Sequence, residues 1–131
     1  MSRLAFTMTT LVVPEYDAAL EFYVGALGFA LVEDTDMGGG KRWVVVEPPG
    51  GGRLLLARAK NDIEAAAIGN QAGGRVGFFL ETKSFADSHA RFMASGVVFE
   101  EEPRHEAYGI VAVFRDPFGN RWDLIEPKEQ A

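Results

Sequence analysis

Shifted against itself by 68 residues, the chain matches Gly28 with Gly96, Glu33 with Glu101, Val45 with Val113 and Pro49 with Pro117. The same shift matches Gly51 with Gly119, Arg53 with Arg121 and Leu56 with Leu124. Seven identities fall in the 30 ungapped positions from 28 to 57, where chance supplies two or three. The turn chemistry coincides as well. Glu47-Pro48-Pro49-Gly50-Gly51-Gly52-Arg53 lies over Arg115-Asp116-Pro117-Phe118-Gly119-Asn120-Arg121, and each is a Pro/Gly break between apolar runs, the mark of a hairpin. Self-similarity at this spacing predicts one structural unit used twice.

Each copy reads as βαβββ. In the first, a strand over 6–13 precedes an amphipathic helix over 15–26, with Ala19, Leu20, Phe22, Tyr23 and Leu27 at helical spacing and Gly28 as the stop. Strands follow over 30–34, 42–47 and 53–59. The second copy repeats the order with a strand over 76–81 and a helix over 84–95. Ser84 is the expected N-cap, Asp87 completes an approximate capping box, and Gly96 is the stop. Its strands are expected over 98–102, 109–115 and 121–126. The predicted fold class is α+β: two tandem βαβββ modules with mixed β-sheets, over about 4–60 and 74–127, joined by a short helical linker over 61–73. In each module the helix covers one face of the sheet. The other faces are left to enclose a cavity, either between modules or across a dimer.

Composition narrows the function. At 131 residues, 47% apolar and 24% charged, the chain has the matter for one packed domain, which excludes disorder. A net charge of −6 opposes a phosphate-backbone footprint, so no nucleic acid is expected. Zero cysteines exclude disulfides, thiolate nucleophiles and cysteine metal sites, and two histidines leave any metal dependent on carboxylates, amides or water. The run 4–13 holds three threonines, ends at Pro14-Glu15 and offers no small-x-small cleavage site, so it reads as a first strand. No apolar stretch nears the roughly 20 residues of a membrane helix. A cytoplasmic protein with no membrane partner is expected.

Leu11-Val12-Val13-Pro14-Glu15-Tyr16-Asp17-Ala18-Ala19-Leu20-Glu21-Phe22-Tyr23, followed by Leu27-Gly28-Phe29, resembles the opening of the vicinal oxygen chelate superfamily. Asp116-Pro117-Phe118-Gly119-Asn120-Arg121-Trp122-Asp123-Leu124 resembles its closing signature. The superfamily holds glyoxalase I, extradiol dioxygenases, fosfomycin-resistance proteins and bleomycin-binding proteins, so the resemblance is specific for fold and nearly silent on chemistry. With the paired modules, a homodimer is expected. In the family's enzymes a divalent metal is held by one side chain from each of four strands. Those positions fall here at Met8, Leu55, near Gly77 and at Asp123. Of these, only Asp123 suits a hard or borderline metal. The expectation is therefore no metal and no cofactor, with a divalent metal as the alternative.

Asp123 lies between Trp122 and Leu124 on a strand and faces away from both. It reads either as a cavity residue that binds a ligand cation or amide or acts as a base, or as a strand carboxylate paired with Arg42 or Arg121. His105 and Tyr108 lie in a loop entering a cavity-lining strand, where they close over a ligand or stay solvated. His105 with Asp123 is the catalytic candidate pair, and Glu106 is an alternative partner. Trp43, Tyr108, Leu55, Phe79, Met8 and Arg42 are the ligand-binding candidates, with Trp43 a wall for a flat or cationic ligand or a core residue. His89, with Phe85, Phe92 and Met93 at helical spacing, reads as a half-buried core histidine. Glu100-Glu101-Glu102 reads as a solvated edge, and 36–41 as a hairpin turn. The leading functional expectation is a metal-independent, antibiotic-type small-molecule binder. The others are a lyase, isomerase or dioxygenase with a degenerate ligand set, and a domain kept for assembly.

Overall fold

A computed structural model describes residues 2–129 and divides the chain near Ala66 into two compact units. The first holds β1 (Met8–Val13), α1 (Tyr16–Leu20, continued by a π-helical segment Glu21–Ala26), β2 (Ala30–Gly38), β3 (Lys41–Glu47) and β4 (Arg53–Arg58). The short α2 (Asp62–Ala67) follows. The second unit holds β5 (Phe78–Glu81), α3 (Phe85–Ala94), β6 (Val98–Phe99), β7 (Arg104–Glu106), β8 (Gly109–Arg115) and β9 (Arg121–Pro127). The sheets run β1-β4-β3-β2 and β5-β9-β8-β6, with β7 also on β8. In each, the first and last strands pair in parallel and the other pairs are antiparallel. The mixed sheets and the α+β class are as expected.

The repeat governs these elements residue by residue. β3 and β8 begin and end 68 apart, as Lys41 to Gly109 and Glu47 to Arg115. Upstream of the helix stops the offset is 69: Thr10 lies opposite Leu55 and Phe79 opposite Asp123, although Leu55 and Asp123 are 68 apart. The first unit therefore has one extra residue between its first strand and Gly28. Its helix widens where that residue must fall, with Leu27 N donating five residues back to Phe22 O at 2.9 Å. The second unit's helix stays α throughout. A residue inserted into an α-helix is absorbed as a π-turn, so the widened segment records a one-residue difference between the copies.

The first strands begin at Met8 and Phe78 rather than at 6 and 76, and two larger departures follow. The second strand of the first unit runs on to Gly38, because bulges between Leu31 and Glu33 and between Asp36 and Gly38 let it keep pairing with β3. The strand expected over 98–102 stops at Phe99 as β6, and β7 forms at Arg104–Glu106, where a loop was expected. Pairing passes from Phe99–Phe114 to Arg104–Val111; Glu100 N still donates to Val113 O at 2.9 Å, and residues 101–103 leave the ladder. Glu101 fills the gap with its side chain, Oε2 accepting Val113 N at 2.9 Å.

The two helix-covered cores differ in where their bulk sits. In the first, the strands offer aliphatics (Leu11, Val44, Val46, Leu54, Leu56) and the helix and its exit offer the rings Tyr16, Phe22, Tyr23 and Phe29. In the second the strands carry the rings. Phe114 packs between Trp122 at 5.9 Å, Phe92 at 5.6 Å and Phe99 at 5.6 Å, while Phe78 stacks on Trp122 at 4.8 Å. His89 lies against Phe85 and Phe99 in this layer. Ser84 caps α3 through Asp87 N at 3.4 Å, and Glu126 Oε1 accepts Phe85 N at 2.7 Å, which satisfies another of the helix's unpaired first-turn donors.

Candidate functional site

Strand alternation fixes which side chains leave the helix layer. In the first sheet Arg42, Val44, Leu56 and Leu11 share the helix side, since Arg42 stacks over the Tyr16 ring at 5.1 Å and Val44 and Leu11 flank Leu56. Met8, Thr10, Leu55, Val45 and Trp43 therefore share the opposite face, on which Val45 is buried. Met8, Leu55 and Trp43 share this face, with Met8 toward one end of it and Trp43 toward the other. Arg42 does not. Its guanidinium is bound by Asp34 at 2.7 Å and Asp17 at 2.8 Å, and its backbone N donates to Tyr16 Oη at 3.1 Å. Hydrogen bonds donated to Asp34 and Asp17 raise the Arg42 pKa further, and the Arg42 fork lowers that of Asp34. Arg42 is thus a structural tie, and Asp123 is not its partner.

In the second sheet Trp122 and Leu124 are buried in the helix layer, so Asp123 faces the other way. Phe79 stands directly beside it on β5 and Val113 on β8. Phe79 is 70% exposed. Two residues along the face, Ile125 and Val111 lead to Arg104 on β7. Arg104 is held by Glu101 at 2.9 Å and Glu106 at 3.1 Å and is hydrogen-bonded with Tyr108. Tyr108, 53% exposed, therefore sits on the Asp123 side. His105 pairs with Ile110, on the opposite face from Arg104 and Glu106, and is exposed. The alternation of β7 separates it from Asp123, so the proposed catalytic pair is not assembled.

Glu100 and Glu101 also depart from the solvated edge expected of them. Glu100 takes both Arg121, at 2.8 and 3.0 Å, and Arg115, at 2.8 Å, which hold its carboxyl below the usual range. Glu101 joins β8 to Arg104. The match of Glu33 with Glu101 in the repeat was the available signal for the latter, since Glu33 lies opposite Val45, the counterpart of Val113. Nothing in the spacing marks Arg104.

Asp123 is the unusual group on this face. Its Oδ1 is buried and has no hydrogen-bond partner. Burial pushes its carboxyl above the ordinary value of 3.8; Arg104 draws it down, Glu101 pushes it up and Arg121 draws it down. A folded-state pKa above the unfolded one means that the native state holds the extra proton. Stability contributed at this position therefore falls as pH rises from about 4 through the folded pKa, and the loss is complete above it. A buried unsatisfied acceptor costs about 1–3 kcal/mol, and partial exposure here favours the low end. Asp123→Leu, which copies Leu55 of the first unit, is expected to raise the neutral-pH melting temperature by roughly 4 °C, with the gain vanishing in acid. Scanning calorimetry across pH checks it; a lowered melting temperature at neutral pH contradicts the assignment.

The four positions of the family's metal ligands can now be tested on their chemistry. Met8 and Leu55 lie on the face of the first sheet turned away from its helix, and Asp123 on the corresponding face of the second. Gly77, which donates its N to Arg121 O at 3.1 Å, has no side chain to offer. One carboxylate, one thioether and two residues without donors do not fit a divalent metal. Among the described residues no group of three or more His, Asp or Glu side chains converges to hold one elsewhere. No described helix is long and apolar enough to cross a membrane.

Comparison with known proteins gives this architecture its place. A protein of Shewanella frigidimarina (strain NCIMB 400) is 50% identical over 119 residues, covering 88% of each chain. The crystal structure of UcmS2 superposes with a TM-score of 0.81 at 28% identity, over 95% of this chain and 98% of that one. TnmS3, an antibiotic binding protein from Streptomyces sp. CB03234, superposes with a TM-score of 0.71 at 27% identity, over 97% and 100%. The family pattern described as Glyoxalase/Bleomycin resistance protein/Dioxygenase superfamily matches residues 5–124. With its duplicated βαβββ units and their mixed sheets, the chain belongs to that superfamily.

Proposed function

We propose that the protein is a metal-independent, cytoplasmic small-molecule binder of the antibiotic-sequestering type, working as a homodimer. The observation that carries this reading is the donor set: Met8, Leu55 and Gly77 replace three of the four side chains a metal-dependent relative needs, while Asp123 keeps a carboxyl beside an exposed ring, Phe79. Apolar surface with a few polar groups suits binding better than Lewis-acid chemistry. Exposed Phe79, Val98 and Tyr108 on the second unit are surface that a ligand or a second copy would cover. The likeness to TnmS3, itself an antibiotic binding protein, supports the same class of ligand.

Protein purified without chelator is expected to contain no stoichiometric metal. Its melting temperature is expected to stay unchanged on adding Ni, Zn, Mn or Fe(II). Flat and cationic antibiotics screened on EDTA-treated protein are expected to include binders. Ligand at 100 times its Kd stabilises by about 2.7 kcal/mol, a shift of several degrees. Stoichiometric metal with a matching rise in melting temperature would overturn the reading and restore a lyase, isomerase or dioxygenase. Sedimentation velocity reads the oligomeric state in the same samples, and a monomer throughout would remove the dimer from the proposal.

A further inference from the structure

We propose that the face of the second sheet turned away from its helix selects, along its exposed β5 edge, ligands carrying a protonated amine or amidine on an apolar ring, with Asp123 receiving the cation and Phe79 the ring. The inference rests on the small-molecule reading above and adds the chemical class of the ligand. Three observations point to it. Asp123 and Phe79 are direct neighbours across the parallel β5–β9 pair, about 4.8 Å apart in the backbone, so one small molecule spans both. Phe79 is 70% exposed, which leaves its ring free to be covered. Asp123 Oδ1, although buried, has no donor inside the protein, and the broad, twofold torsion of a carboxyl lets either oxygen turn toward the Phe79 side.

The surrounding charges set the sign. Facing Asp123 are Glu81 from β5, Arg121 from β9, Arg115 from β8, Glu100 and Glu101 from the segment between β6 and β7, and Arg104 and Glu106 from β7. Counting Asp123 itself, five carboxylates stand against three guanidiniums, an excess of two negative charges when all are ionised. Each guanidinium is already turned to a glutamate: Arg104 to Glu101 and Glu106, Arg115 and Arg121 to Glu100. An anionic ligand would have to break one of these pairs. A cation meets an acceptor that lacks a partner and a ring whose face attracts it.

The test uses three probes of one shape on EDTA-treated protein near neutral pH: 1-naphthylmethylamine, 1-naphthalenemethanol and 1-naphthoate. Affinities are read by ligand-observed NMR titration on wild type, Asp123→Asn and Phe79→Ala. Wild type is expected to bind the amine about tenfold tighter than the alcohol, as for a charge-assisted hydrogen bond, and the naphthoate most weakly. Asp123→Asn, which keeps the shape, is expected to bring the amine to the level of the alcohol and leave the alcohol unchanged. Phe79→Ala is expected to weaken both. Equal binding of the three probes, or an Asp123→Asn variant that still prefers the amine, overturns this inference while leaving small-molecule binding intact. Absence of binding by every probe at millimolar concentration also overturns it. If the antibiotic screen is blank too, the functional reading falls with it.

Discussion

Phe114→Ala is expected to destabilise the protein by about 4 kcal/mol, lowering the melting temperature by more than 10 °C. Phe114 is fully buried and meets three other rings, from β9, α3 and β6. Truncation leaves a ring-sized cavity whose walls are themselves rings, the shapes least able to collapse into it. The matched control is Val46→Ala at the equivalent position of the first unit, also fully buried. Two methyl groups are lost there and the bulk comes from the helix, so about 2 kcal/mol is expected. Urea denaturation of both variants compares them directly. A Phe114→Ala cost at or below that of Val46→Ala would show that the aromatic layer of the second sheet is not its core.

That asymmetry explains how much of the fold was legible in the sequence. The repeat was visible from Gly28 onward because strands β3, β4, β8 and β9 keep one offset, and their Pro/Gly turns tolerate few alternatives. Upstream it fades, since the inserted residue in the helix shifts the offset to 69, and since the copies exchange bulk between helix and sheet. Tyr23 answers Phe92 as a buried ring on each helix, but Phe22 answers Arg91. Asp123's direction was legible from alternation with Trp122 and Leu124. The separation of His105 from it was not, because the residues that leave the ladder between β6 and β7 set the phase of β7. Arg42 was misread for a similar reason: being charged in an apolar strand suggested a ligand, whereas Tyr16, Asp17 and Asp34 bind it from elements whose approach the sequence does not reveal.

Gly69→Ala is expected to cost about 3 kcal/mol, while Gly73→Ala costs about 1. Both glycines have left-handed backbones, φ +72° and +65°, so both alanines carry the strain of that conformation. They differ in what a Cβ would meet. At Gly73 there is open space, whereas at Gly69 the new atom would collide with the carbonyl of Phe118 in the β8–β9 turn. That turn is tightly built. Asp116 Oδ1 accepts Phe118 N at 2.9 Å and Asn120 N at 2.8 Å, Oδ2 accepts Asn120 Nδ2 at 2.6 Å, and Gln71 Nε2 donates to Asn120 Oδ1 at 3.4 Å. The equivalent turn of the first unit has Pro48 in place of Asp116 and so has no side chain to build the same network. The sequence placed Gly69 only within the helical linker 61–73. Its closeness to Phe118 gives it a duty of its own, holding the segment after α2 against the turn, so that a stretch expected to be linker is packed into the second unit. Amide exchange separates the two alanines further: protection at Phe118 and Asn120 is expected to fall in Gly69→Ala and to hold in Gly73→Ala. Equal costs with unchanged protection would mean that backbone strain alone constrains Gly69, and that the turn stands without the segment packed on it.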